Sequence, residues 1–182
     1  MSMKQVESRD VINIAAKRMY YIFLVGIIPL ILVFLLYTNN QESDSLNYLY
    51  ALSGKVPELI SANNPLLSSI MSFYVKIAPL FGVLFFLVSR RKLNLKTTFS
   101  FTKGILAFML FTVFYIAIVY YLLVCNVDLT ESGRFLRLLS GNDYLLTVFF
   151  VSVFYVCYIL TCYYISYVYA VFLILNLKIK HR

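Results

Sequence analysis

Histidine is almost missing from this chain. The only one, His181, stands beside the C-terminus, so there is no histidine-based acid–base pair, no His/Cys metal cluster and no nucleophile triad. Acids are scarce too: eight in 182 residues, all in loops or the N-terminal tail and none inside an apolar run. An ion transporter would be expected to carry acids within its spans, or broken helices facing each other in repeated halves, and the sequence shows neither pattern. No DxxD, HExxH or glycine-rich phosphate loop occurs. Asp128 and Glu131 share a loop but have no histidine nearby, and they read as solvated loop acids. The three cysteines, Cys125, Cys157 and Cys162, form no CxxC pair. The last two fall in an apolar run, where a thiol behaves as a small hydrophobe, so no structural disulfide is expected. Neither catalysis nor a metal or cofactor is expected.

What the chain has in excess is apolar surface. It is 62% hydrophobic, 18% aromatic and only 13% charged, with a mean hydropathy of +0.83, far more apolar than a soluble globular domain. Crossing a hydrocarbon layer of about 30 Å takes roughly 20 helical residues. Four stretches meet or nearly meet that length, at about 19–37, 68–88, 105–125 and 144–175. The expected fold is an all-α integral membrane protein, one membrane domain over 1–182 built as a four-helix transmembrane bundle. Loops 38–67 and 126–143 would lie outside and 89–104 in the cytoplasm, with both termini cytoplasmic.

Charge supplies the orientation. The net charge of +8 does not point to nucleic acid, because the basic residues cluster at the ends of apolar runs and not on one polar face. Arg90, Arg91, Lys92, Lys96 and Lys103 crowd between the second and third apolar runs with no acid among them. The N-terminal tail carries four Lys or Arg, this stretch five and the C-terminal tail three, whereas the two intervening loops carry one and two. A bias of that size on alternate connections is a positive-inside signal, which makes the basic stretch a topology determinant.

Within this frame several features invite a role. Met19–Tyr37 lacks a small-x-small cleavage pattern after it and is expected to stay as an uncleaved span, kinked at Pro29. Leu46, Leu49 and Tyr50 recur at helical spacing behind Asp44 or Ser45, which suggests a short helix on the membrane surface. Lys76 is the only charge inside a span; at six residues past Ile70 it lies about 9 Å from the outer end, close enough to snorkel or to grip a partner. Arg134 and Arg137, among Phe135, Leu136, Leu138 and Leu139, fit a short interfacial helix with two outward cations. In the last span Tyr144, Ser152, Tyr155, Tyr158, Cys162, Ser166 and Tyr169 fall within an arc of about 120° at 100° per residue. Such a stripe joins membrane helices, either within the bundle or to a foreign helix.

Several local strings resemble the immunity proteins that protect bacteria from pore-forming colicins of the colicin A class. They are Gly26-Ile-Ile-Pro29-Leu30, Asn64-Pro65-Leu66, Lys76-Ile-Ala-Pro79, Asp128-Leu-Thr130, Ser132-Gly133-Arg134, Arg137-Leu138 and Asn142-Asp143. The resemblance implies a non-enzymatic inner-membrane protein. Its partners would be the lipid bilayer and the pore-forming domain of the cognate colicin, with its hydrophobic helical hairpin, and neither nucleic acid nor a small-molecule substrate. On that reading Lys76, Arg134, Arg137 and the Tyr155, Tyr158, Cys162 face are the expected partner contacts. An accessory subunit of a transporter or channel is the alternative, using the same stripe against a permanent partner.

Overall fold

The computed structural model describes the backbone of residues 3–54, 59–90 and 101–180 and the side chains of 14–54, 59–90 and 104–175. Arg91, Lys92 and Lys96 therefore lie outside the described residues, as does the side chain of Lys103.

Helix α1 (Met3–Asn39) runs unbroken. The polar tail before Met19 continues into the first span because it contains no glycine or proline to stop a helix, and the helix also continues across Pro29. Helix α2 (Asp44–Ser53) follows, capped by Ser43, whose hydroxyl accepts from the Leu46 N–H at 3.3 Å. The short helix expected here is present, and its cap lies one residue ahead of the expected Asp44 or Ser45. Strand β1 (Leu59–Ile60) leads to α3 (Pro65–Val75) and α4 (Ala78–Ser89). Helix α5 (Phe101–Leu123), strand β2 (Val127–Asp128), α6 (Arg134–Ser140) and α7 (Asp143–Lys180) complete the chain.

Among the described residues four stretches are long and apolar enough to cross a membrane: Ile14–Asn39, Pro65–Ser89, Gly104–Leu123 and Asp143–Leu175. The second is one span made of two helices, interrupted at Lys76 and Ile77. Pro79 supplies the reason: it has no N–H for the Val75 carbonyl, so the helix stops and restarts. In the first turn of α4 that missing donor costs nothing.

Helix α7 is the axis of the assembly, and α1, α3, α4, α5 and α6 all pack on it. Phe150, Phe154, Cys157, Tyr158, Thr161 and Cys162 are buried at steps of three and four, one continuous helical stripe. Glycine sets how closely the other helices approach. A Cβ on Gly82 of α4 would stand 2.7 Å from Thr161 Cβ, and one on Gly26 of α1 would stand 2.7 Å from Phe154 Cζ. Close approach of this kind gains dispersion contacts, the main source of helix association where lipid is as apolar as leucine. Hydroxyls complete the seams. Tyr158 donates to the Met19 carbonyl at 2.8 Å and Tyr74 to the Gly26 carbonyl at 2.7 Å. Helix α5 joins α7 through Tyr115, stacked on Tyr164 with centroids 4.4 Å apart, and through Tyr167, whose hydroxyl donates to the Gly104 carbonyl at 3.1 Å.

At one end residues 40–54, 59–64 and 124–142 form a cap. Its two-residue strands pair in parallel, Leu59 with Val127 and Ile60 with Asp128, a small departure from an all-helical fold.

Candidate functional site

The cap is built on the first turns of α3, where Ser68, Ser69 and Ser72 share one face. Serine in such a position turns a helix face into hydrogen-bonding surface for non-helical chain. Ser72 Oγ accepts from Leu59 N at 2.9 Å, Ser68 Oγ accepts from Ser61 N at 3.0 Å, and Ser69 Oγ lies 2.6 Å from Ser53 Oγ. The first loop is thereby fixed to the helix it precedes. Ser61 then reaches the second loop, its hydroxyl donating to the Ser140 carbonyl at 3.1 Å. Asn64, just ahead of Pro65, donates its side-chain amide to the Asp143 carboxylate, and its carbonyl oxygen accepts from Tyr37 Oη at 3.4 Å. One asparagine thus ties the end of α1 to the starts of α3 and α7.

The second loop is ordered from Asp128. Its carboxylate accepts from Thr130 Oγ1 and, at 2.8 Å, from Thr130 N. Those two bonds favour the ionised form and hold the Asp128 carboxyl below its ordinary range. Leu129 is buried, and its N–H donates to the Ile60 carbonyl at 2.8 Å. Gly133 has φ 122°, a backbone that an L side chain rarely adopts, and from it the chain turns into α6. Arg137 does not simply point outward: its Nε donates to the Thr130 carbonyl at 3.0 Å, bracing the turn. Arg134 is exposed.

Lys76 occupies the break between α3 and α4, where it is half-buried. It stands eleven positions beyond Pro65, about 16 Å along a helix at 1.5 Å per residue. A helix C-terminus is a favourable place for a cation, because the last carbonyls of α3 present their negative end to it.

The stripe expected on the last span is divided between seams: Tyr144, Tyr155 and Tyr158 lie against α1, whereas Tyr169 meets Phe86 of α4 edge-on at 5.3 Å. Tyr158 is 0% and Cys162 2% exposed, while Tyr155 is 46% exposed and meets Phe23 edge-on at 5.0 Å. Tyr144 is exposed and meets Phe34 edge-on at 5.1 Å. Tyr155, Tyr158 and Cys162 are therefore neighbours on one helix, with Tyr155 alone at the surface. Arg134 and Arg137 are together in the cap, and Lys76 stands deeper, at the helix break. Arg90, at the opposite end of the second span, is exposed just past α4.

Sequence reasoning missed Asn64, Asp143 and the serine face as a connected unit. Ser68, Ser69 and Ser72 sat inside an apolar run, and their i, i+1, i+4 spacing was the one available signal. It missed as well that Arg18 Nη1 donates to the Val88 carbonyl at 3.0 Å, joining the middle of α1 to the last turn of α4.

Three membrane-length stretches packed on a fourth, tyrosine-rich helix, with a cap folded from both loops at one end, are compatible with a small multi-pass membrane protein. Residues 42–181 match the family described as colicin immunity protein, and the chain belongs to that family. It is 31% identical to the colicin-B immunity protein of Escherichia coli over 79% of this chain and 82% of that one. It is 28% identical to the colicin-A immunity protein of Citrobacter freundii over 84% and 86% of the two chains. With the colicin-N immunity protein of Escherichia coli it shares 31% identity over 55% of this chain and 76% of the relative. No solved structure matches it. These relatives are named for immunity and not for catalysis.

Proposed function

We propose that this protein lies in the bacterial inner membrane with both termini in the cytoplasm and protects its cell by binding the channel-forming domain of a pore-forming colicin. Binding would hold that domain closed. Moving one charge through 100 mV is worth about 2.3 kcal/mol, so the translocating charges of such a domain supply a large opening force that a tight partner must oppose. The observation that carries this reading is membership of the colicin immunity family over residues 42–181. The alternating distribution of Lys and Arg supports the orientation, which turns the cap outward, toward the side from which a toxin arrives.

Within this reading Lys76 and Tyr155 are the intramembrane contacts for the toxin's hydrophobic hairpin, with Arg134 and Arg137 on the rim. Tyr158 and Cys162 are buried behind Tyr155 and shape its edge; they reach a partner directly only if the bundle opens. Packing of aromatic and small residues with a few polar groups is what discriminates one helix from another in lipid.

The deciding experiment follows intracellular potassium in cells making the protein. They keep their gradient under the cognate colicin and lose it under an unrelated one; equal loss under both overturns the proposal.

A further inference from the structure

Helix α6 leaves a face uncovered that its own bundle has no use for. At 100° per residue Leu138 stands at the centre of that face, with Arg134 about 40° to one side and Phe135 about 60° to the other. Phe135 is 72% and Leu138 71% exposed, among the most exposed large hydrophobic residues in the protein. The opposite side of the helix is the packed one: Leu136 joins the core, Ser140 is buried and its carbonyl accepts from Ser61. The orientation of α6 is therefore fixed from beneath, and the exposure is not that of a loose turn.

We propose that this face is seated in the membrane leaflet at the cap end, with Phe135 and Leu138 among the upper acyl carbons and Arg134 against lipid phosphate. Three observations favour lipid over any other occupant. Only Gly141 and Asn142 separate α6 from α7, and two residues reach at most about 7 Å, so a helix attached this way cannot leave the level at which the span enters the bilayer. Exposed large apolar residues follow in the first turns of α7, at Tyr144, Leu145 and Val148. The residue types match the boundary they would occupy, since an arginine beside a phenylalanine and a leucine satisfies phosphate and acyl chain at once. Arg137, braced on Thr130, stays with the cap. This inference rests on the membrane reading of the four helices and not on which toxin is bound.

The chain contains no tryptophan, so Phe135→Trp introduces a single reporter. The full-length variant is reconstituted without toxin in vesicles of phosphatidylcholine with phosphatidylglycerol, beside Leu138→Trp as a second reporter and Glu131→Trp as a loop control. The expected result is blue-shifted emission from positions 135 and 138, quenched by lipids brominated high on the acyl chain and several-fold less sensitive to iodide than position 131. Adding Arg134→Glu should return the 135 reporter toward water, whereas Arg134→Lys should not. Water-like emission at both 135 and 138 with strong iodide quenching overturns the lipid seat. So does shielding that develops only once a colicin is added, which would make the face a toxin contact. Unchanged emission on Arg134→Glu removes the phosphate contact from the proposal. Because no toxin is present in the first measurement, its failure leaves the immunity reading standing.

Discussion

Asn64 donates its side-chain amide to the carboxylate of Asp143, joining residues 79 apart in the chain, while its oxygen accepts from Tyr37. One side chain so sets the relative height of α1, α3 and α7 at the cap end. Replacing Asn64 by alanine leaves a partly buried carboxylate and a tyrosine hydroxyl without their partner, a loss of about 1–3 kcal/mol. Thermal unfolding of the purified protein in mild detergent should show it as a lowered midpoint. Asn64→Ala with wild-type stability would mean that the bond does not form.

Gly26 and Gly82 should tolerate no side chain. A Cβ at Gly82 meets Thr161 Cβ at 2.7 Å and the Tyr158 carbonyl at 3.2 Å, both fixed to the α7 backbone, whereas one at Gly26 meets the tip of the Phe154 ring. Alanine at either should destabilise by about 1–3 kcal/mol, with Gly82 the worse because a ring tip yields more readily than a backbone. Gly104, which has nothing within 4 Å of such a Cβ, is the control and should accept alanine without loss. Equal midpoints for all three variants would contradict the packing.

The Asp128 turn should be sensitive to acid in one direction only. A carboxyl held below its ordinary value contributes stability above the unfolded pKa of about 3.9, and loses it as pH falls through the lowered folded value. Between neutrality and about pH 4 the turn should therefore be unchanged, loosening only below. Thr130→Val removes the hydroxyl donor, the larger cause of the shift, and should raise the Asp128 titration midpoint in a carboxyl-carbon NMR measurement. A midpoint unmoved by that substitution would assign the shift elsewhere.

Lys76 has two readings that one variant separates. If it grips the toxin, Lys76→Ala should lose protection at unchanged membrane level; if it only sets helix depth, protection should persist. Colicin spot titre and an immunoblot of the membrane fraction measure both.

Reversing the charges at Arg90, Arg91, Lys92, Lys96 and Lys103 should invert or scramble the orientation and abolish protection. Neutral replacements that leave the other cytoplasmic charges to dominate should keep both. Alkaline phosphatase fusions in the 126–143 loop check this: activity in the wild type, lost on reversal. Activity retained after reversal would remove the basic stretch as the topology signal.

Much of this was legible in the sequence. Span number came from run length alone, and the described residues hold four helices long and apolar enough to cross a membrane. The Asn64-Pro65 and Asn142-Asp143 strings were visible as points of family resemblance, but nothing in them said that Asn64 and Asp143 meet. The Tyr155, Tyr158, Cys162 stripe was visible as well. That α1 covers Tyr158 and leaves Tyr155 at the surface was not.

By itself the sequence determined that the chain is apolar enough to span a membrane four times, where its basic residues alternate and which chemistries it has no side chains to perform. These are properties of composition and of local period, set by whether a run is long enough to satisfy its own backbone in lipid. Only the tertiary structure decided the seams that divide the tyrosine stripe and the cap that Asn64, Asp143 and the serines of α3 hold together. Each depends on which helix stands beside which, and periodicity is blind to that, because a helical face of given composition can be buried equally well against several neighbours.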